Sequence, residues 1–214
     1  MKRLEPLLER YCDLVARAGV SVTALRSREA LRTELVDDAL SACGMIGDEL
    51  PVSTVDVGSG NGSPGIPLAL AYGAPITLLE AVGRKAAFLR AVSQELGVAA
   101  TVVAERSELH ARGRGRDAYD LALARALAPP PVAVELCLPL VRPGGRVVLW
   151  TGAVDPAVLD AVATQVAGRV ASALPTRGSR MLIELEKVGA TPDRFPRRPG
   201  MAGKRPLASL PSMR

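Results

Sequence analysis

The stretch 54–67, Thr-Val-Asp-Val-Gly-Ser-Gly-Asn-Gly-Ser-Pro-Gly-Ile-Pro, constrains this chain more than any other. A β-branched run at Thr54, Val55 and Val57 stops at a loop carrying Gly58, Gly60, Gly62 and Gly65, and an apolar helix pattern follows at once. Glycine loses more conformational freedom on folding than any other residue. Four glycines in eight residues therefore predict a strand-to-helix turn at which backbone closely approaches a bound nucleotide-like ligand.

From residue 54 onward strands alternate with helices. Hydrophobic periodicity predicts strands over 54–57, 76–80, 100–104, 119–124, 145–151, 170–174 and 180–187, with helices starting near 65, 84, 130 and 155. That alternation is the signature of a parallel sheet with covered faces. Pro143-Gly-Gly145 reads as a turn that opens the fifth strand. The last two strands, joined by Pro175-Thr-Arg-Gly178, read as an antiparallel hairpin with no helix between them. Upstream, Leu4, Leu7, Leu8, Tyr11, Leu14 and Val15 recur at helical spacing, as do Leu31, Leu35 and Leu40. Between these two helices, 19–23 reads as an extended linker. The expected organisation is an N-terminal helical cap over 1–50, an α/β domain over 51–190 and a basic tail over 191–214.

Composition excludes several classes. At 214 residues, with 48% apolar and 23% charged residues, the chain has the profile of a soluble globular protein. No apolar run reaches the roughly 18 residues that cross a bilayer, and the N-terminus lacks a signal-peptide core. Cys12, Cys43 and Cys137 are unpaired in spacing and read as reduced thiols, so a cytoplasmic location is expected. With His110 alone and no acid–histidine cluster, no metal site is expected. The net charge of +5 is concentrated in 193–214, where six basic residues face Asp193 alone. A phosphate backbone would call for such a segment, and so would a merely solubilising end. Arg112-Gly-Arg-Gly-Arg116 reads as a solvated basic loop.

Two acids qualify the glycine loop. Asp56 sits two residues before Gly58, and Glu80 ends the next apolar run, Ile76-Thr-Leu-Leu-Glu80. Glu80 can accept both hydroxyls of a ribose, a charge-assisted arrangement, and Asp56 can organise a ligand ammonium. Gly60-x-Gly62-x-x-Gly65 also matches the dinucleotide fingerprint. Against a dinucleotide stand Asp56 inside the strand end, the prolines Pro64 and Pro67, and the helical region before the first strand. Asp-x-Gly-x-Gly-x-Gly with an acid ending the next strand is similar to the cofactor site of class I S-adenosylmethionine-dependent methyltransferases.

Residues 56–69 closely resemble the cofactor motif of bacterial small-subunit rRNA guanine-N7 methyltransferases, the glucose-inhibited division protein B family. Gly83-Arg-Lys-Ala-Ala-Phe-Leu-Arg90 followed by Glu95-Leu-Gly97, Asp120-Leu-Ala-Leu-Ala-Arg-Ala126, and Arg194-Phe-Pro-Arg-Arg-Pro-Gly200 with Lys204-Arg-Pro-Leu207 agree in order and spacing. The resemblance covers about residues 30–210. It implies a Rossmann-like class I methyltransferase fold, with a seven-stranded, mostly parallel sheet, an antiparallel last strand and helices on both faces. It implies S-adenosyl-L-methionine as cofactor, S-adenosyl-L-homocysteine as product, no metal, and small-subunit rRNA or the assembled subunit as partner of a monomeric enzyme.

Carried over, the family's cofactor contacts fall on Gly58, Ser63, Ser107, Glu108 and Arg125, beside the Asp56, Gly60, Gly62 and Glu80 read from the residues. Arg84, Lys85, Arg194, Arg197, Arg198, Lys204 and Arg205 are the expected RNA contacts, with Trp150 or Phe195 against the target base. No catalytic acid, base or nucleophile is expected, because guanine N7 has a lone pair and no proton. Three polar or cationic family positions are altered, at Ser21, Leu35 and Thr151. These departures keep open a methyltransferase for another RNA or a small molecule, and a non-catalytic, cofactor-holding ribosome-binding protein.

Overall fold

The computed structural model describes residues 4–18, 22–25 and 27–209. Seven strands follow the order β3-β2-β1-β4-β5-β7-β6, and the chain forms two compact units, Met1–Glu105 and Arg106–Arg214. The first joins the N-terminal helices to three parallel strands. The second joins four strands to the C-terminal segment.

In the first unit, β1 (Thr54–Val57) pairs in parallel with β2 (Ile76–Leu79), and β2 with β3 (Ala100–Val103). All four residues of β1 are buried, as expected of a strand covered on both faces. Helix α1 (Leu4–Ala18) is amphipathic and buries Leu8, Tyr11, Cys12 and Val15. Burial raises the Cys12 thiol pKa to about 11, which keeps it protonated and unreactive. The predicted helix around 31–40 is composite. It comprises α2 (Arg28–Leu31), a π-helical stretch (Arg32–Asp37) and α3 (Asp38–Leu40). The short α4 (Cys43–Ile46) follows. After β1 comes α5 (Gly65–Tyr72), and α6 (Gly83–Leu96) links β2 to β3. Helix α1 packs on both α5 and α6. Ile66 and Leu68 of α5 are fully buried, each contributing about 1.5–3 kcal/mol. The linker position Ser21 lies outside the described residues.

In the second unit, α7 (Ser107–His110) precedes β4 (Tyr119–Arg125). Helix α8 (Pro130–Cys137) leads to β5 (Val141–Thr151), which runs parallel to β4. Helix α9 (Pro156–Gln165), capped by Asp155, precedes β6 (Gly168–Pro175) and β7 (Met181–Lys187). Strand β7 is antiparallel to both β5 and β6 and lies between them, so the predicted hairpin is present. The fifth strand starts earlier than its pattern suggests. Tyr119 pairs with Val141 and Leu121 with Arg146, so Pro143-Gly-Gly145 is a bulge inside β5 rather than a turn before it. Gly145 is needed there, because a Cβ would stand 2.7 Å from the Asp120 carbonyl oxygen.

The segment beyond β7 is built into this unit. Lys187 is wholly buried, and its Nζ donates to the Leu138 carbonyl at 2.8 Å, Thr191 Oγ1 at 2.5 Å and Asp117 Oδ1 at 3.2 Å. Thr191 donates its hydroxyl and its N–H to Asp117, at 2.5 and 3.1 Å. The two charged partners respond differently. Burial pulls Lys187 below the ordinary lysine range against the pull of Asp117. Burial also pushes Asp117 up, but the Thr191 hydroxyl and amide and the Lys187 ammonium outweigh it and hold the carboxyl below its usual range. Hydrogen bonds and Coulomb attraction together make the pair tolerable, the Thr191 donors leading for Asp117 and the opposite charge for Lys187. The last helix, α10 (Met201–Lys204), ends the segment.

Removing one member of such a buried pair leaves the other uncompensated. Lys187→Ala should lower stability by about 3–5 kcal/mol in urea unfolding. The folded pKa of Asp117 lies below the unfolded value of about 3.9. Its contribution is therefore present above that value and lost as pH falls through the folded one. Asp117→Asn should correspondingly flatten the acid limb of the stability curve.

Candidate cofactor site

The glycine loop is shaped by backbone hydrogen bonds to the end of β2. Gly58 and Ser59 both donate their N–H to the Leu79 carbonyl, at 2.7 and 3.1 Å, and Gly62 N–H closes back on Ser59 at 2.6 Å. Ser59 Oγ donates to the Asp56 carbonyl at 2.8 Å. The glycines divide by role. Gly62 (φ +97) packs inward, since a Cβ would lie 2.5 Å from Ile66 Cδ1. At Gly65 a Cβ would strike Asp56 Oδ2 and Leu78 Cδ2, each at 2.8 Å. Above Gly60 the space is open, with only the Gly58 carbonyl within reach at 3.6 Å.

Glu80 binds the loop directly. Its side chain is 6% exposed, one carboxylate oxygen accepts Gly60 N–H at 2.9 Å and the other accepts Val82 N–H at 2.8 Å. Glu80, the residue just after β2, thus ties together the glycine loop and the entry to α6. Each oxygen keeps a second lone pair. Asp56 is deeper, at 1% exposure, with Oδ2 accepting Gly65 N–H at 3.2 Å. This places its carboxylate beneath the loop, as a support for the start of α5.

The N-terminal helices brace the same loop from the other side. Tyr11 Oη donates to the Asn61 carbonyl at 3.1 Å. Ser63 is buried, and its hydroxyl donates to the Leu35 carbonyl in the π-helical stretch at 2.6 Å. The Leu35 side chain is 1% exposed. A cation at that position would be buried, so the departure to leucine fills the core rather than stripping a surface charge.

In the second unit, Ser107 and Glu108 open α7, an element the periodicity does not show because it is one turn long. Glu108 is 5% exposed and accepts Gly200 N–H at 2.8 Å on Oε1. Burial raises its pKa, but the Gly200 amide, its own amide and the Arg106 guanidinium outweigh that and hold the carboxyl below the usual range. Arg125 ends β4 half-buried, in register with Trp150 on β5. Trp150 and Phe195 are both buried, Phe195 at 2% exposure, so Phe195 offers no face to a base. Thr151 donates its hydroxyl to the Gly152 carbonyl at 2.8 Å.

The basic residues separate into two groups. Arg84, Arg194, Arg198, Lys204 and Arg205 are exposed and Lys85 is half-exposed. Arg197 instead binds the buried Glu135 with both Nε and Nη2, which raises its pKa further. Its role is structural first. Arg112 and Arg116, expected to be solvated, donate to carbonyls of the C-terminal segment. No spacing rule in the sequence links residues so far apart. Among the described residues no cluster of histidine, cysteine and acid could hold a metal ion, and no helix is long and apolar enough to cross a membrane.

The chain matches the family described as rRNA small subunit methyltransferase G over residues 4–174. It is 37% identical over 213 residues to the ribosomal RNA small subunit methyltransferase G of Chloroflexus aggregans, across 93% of this chain and 88% of that relative. A solved structure of an MtNAS mutant in complex with S-adenosylmethionine superposes with a TM-score of 0.59 at 20% identity, over 86% of this chain and 72% of that one. A candidate RNA methyltransferase from Pyrococcus horikoshii superposes with a TM-score of 0.57 at 16% identity, over 88% and 100% of the two chains. The structural likenesses carry the fold, that of class I S-adenosylmethionine-dependent methyltransferases, with its antiparallel strand β7. The sequence likenesses carry the rest, and the chain belongs to the rRNA small subunit methyltransferase G family, whose members are S-adenosylmethionine-dependent enzymes.

Proposed function

We propose that this chain transfers the methyl group of S-adenosylmethionine to N7 of a guanine in small-subunit ribosomal RNA. The observation that carries the cofactor reading is Glu80, held by two backbone N–H groups beside the open side of Gly60. A carboxylate fixed in this way, with a free lone pair on each oxygen, suits the two hydroxyls of a ribose. Gly58, at φ +72, and Gly60, with open space above it, would let backbone approach the ligand, while Gly62 and Gly65 keep the loop closed underneath. Asp56 positions the loop and adds negative charge for a ligand ammonium. The family resemblance adds Ser63, Ser107, Glu108 and Arg125 as further expected cofactor contacts.

When bound, S-adenosylmethionine supplies a methyl group on a positively charged sulfur. The chain has little proton chemistry to perform, because the accepting nitrogen carries a lone pair and no hydrogen. Its residues hold the two reactants in line and exclude water, the effects that give the largest share of rate in such a step. RNA would be held by Arg84, Lys85, Arg194, Arg198, Lys204 and Arg205, with phosphate contacts that give affinity without base identity. Arg84 and Lys85 occupy the first turn of α6, where the helix dipole disfavours cations. A bound phosphate would reverse that penalty.

The direct test is transfer of labelled methyl to small subunits from a strain without its own guanine-N7 enzyme. Asp56→Ala serves as the blank, and the modified base is identified by mass spectrometry. Label in 7-methylguanosine at one site is expected. Label on another base, or none despite cofactor binding, would overturn the reading. Glu80→Ala should weaken cofactor binding by about 10- to 150-fold in calorimetry, the loss of a charged hydrogen-bond acceptor, with Glu80→Gln in between. An unchanged affinity would remove Glu80 from the site. The rate of transfer should vary little between about pH 6 and 8, where histidine titrates. A bell-shaped profile there would require a general base.

A further inference from the structure

The loop Arg112–Arg116 and the C-terminal segment frame an open cleft of about 500 Å³, lined by Arg112, Arg116, Asp193, Arg194, Phe195 and Pro196. Its guanidiniums are held by carbonyls. Arg116 Nη1 donates to Phe195 O and Nη2 to Thr191 O, both at 2.7 Å, and Arg112 Nη2 donates to Pro196 O at 3.2 Å. Arg194 lies over the Phe195 ring, 5.3 Å from its centroid. A carbonyl fixes a guanidinium without neutralising it. The one acid of the cleft, Asp193, reaches Arg116 only at 3.9 Å and is fully exposed. By contrast, Arg142, Arg146, Arg169 and Arg197 of this unit each pair with a carboxylate at hydrogen-bonding distance. The cleft therefore gathers ordered positive charge, three guanidiniums against one exposed acid.

We propose that this cleft seats a phosphodiester group of the RNA backbone, with Arg112 and Arg116 as its pre-positioned donors. The proposal rests on the reading that the chain acts on RNA. Planar guanidiniums held in place lose little freedom on meeting a phosphate and match its oxygens two at a time. The buried Phe195 ring leaves no stacking surface, so the cleft recognises the backbone rather than a base. It adds Arg112 and Arg116 to the RNA contacts, and gives the C-terminal segment a second role as the wall that orders them.

Two variants test the proposal in opposite directions. Binding of wild type, Arg112→Gln and Asp193→Asn to unmodified small subunits is titrated across a salt series, with cofactor affinity measured in parallel by calorimetry. Arg112→Gln should weaken subunit binding about 10-fold and reduce the salt slope by about one. Asp193→Asn, which removes the charge that repels a phosphate, should tighten binding several-fold, roughly the effect of one nearby surface charge. Cofactor affinity should stay unchanged in both. If wild type binds and is active while neither variant shifts affinity or slope, the cleft holds no phosphate. If Arg112→Gln weakens binding but Asp193→Asn does not tighten it, Arg112 acts only through packing and the proposal is also overturned. If wild type does not bind small subunits, it is the RNA reading itself that fails, and the cleft proposal with it.

Discussion

The first unit depends on one tie, the Glu80 carboxylate bridging Gly60 N–H and Val82 N–H. A loop with four glycines has many conformations to lose, about 1 kcal/mol each relative to alanine in regular structure. It keeps a single shape because its amides have assigned partners: Leu79 O for Gly58 and Ser59, Glu80 for Gly60, Ser59 O for Gly62 and Asp56 for Gly65. Two of these partners are carboxylates at the ends of adjacent strands, so the loop is fixed wherever β1 and β2 are paired. The same anchoring leaves a second lone pair on each Glu80 oxygen, next to a glycine with open space above it. In the proposed function, the atoms that hold the loop would also meet the ligand.

The second unit turns on the route of the chain after β7. Lys187, Thr191, Asp117, Arg116 and Arg197 bind residues far away in sequence and bring 191–204 against α7 and α8. Just before α10 the Gly200 N–H meets Glu108. Its positive charge is thus partitioned. Arg197 is consumed by a buried acid, while Arg198, Lys204 and Arg205 stay exposed. A count of basic residues overstates what is available to a partner, and it misses Arg112 and Arg116, whose loop is drawn into the cleft by the same fold.

The chemistry also explains why the site is quiet by the usual signs. Methyl transfer to an unprotonated nitrogen needs no histidine, cysteine or metal, and the single histidine, His110, lies buried with Nε2 2.8 Å from Tyr119 Oη. What remains is shape and fixed dipoles, carried by backbone as much as by side chains. Substrate identity therefore comes from family membership, whereas the cofactor reading also stands on geometry. The altered positions fit this division. Leu35 is core, and Thr151 is satisfied by the neighbouring Gly152 carbonyl.

The sequence by itself determined the alternation of strands and helices, the antiparallel final hairpin and the glycine loop with its two acids. Those features are local or periodic, written in spacing that a reader of residues can see. Helix starts near 65, 84, 130 and 155 lie within a residue of α5, α6, α8 and α9. Only the tertiary structure decided three other matters. It turned Pro143-Gly-Gly145 into a bulge, since the pairing of β4 with β5 sets the register. It put Asp56 beneath the loop and Glu80 across it, because Asp56 accepts the Gly65 amide and Glu80 those of Gly60 and Val82. It converted a basic tail into a bound segment, because the partners of Lys187, Arg116 and Arg197 lie dozens of residues away. Contacts at such separation leave no period in the sequence, and burial alone distinguishes a charge that holds the fold from one that is free to meet a ligand.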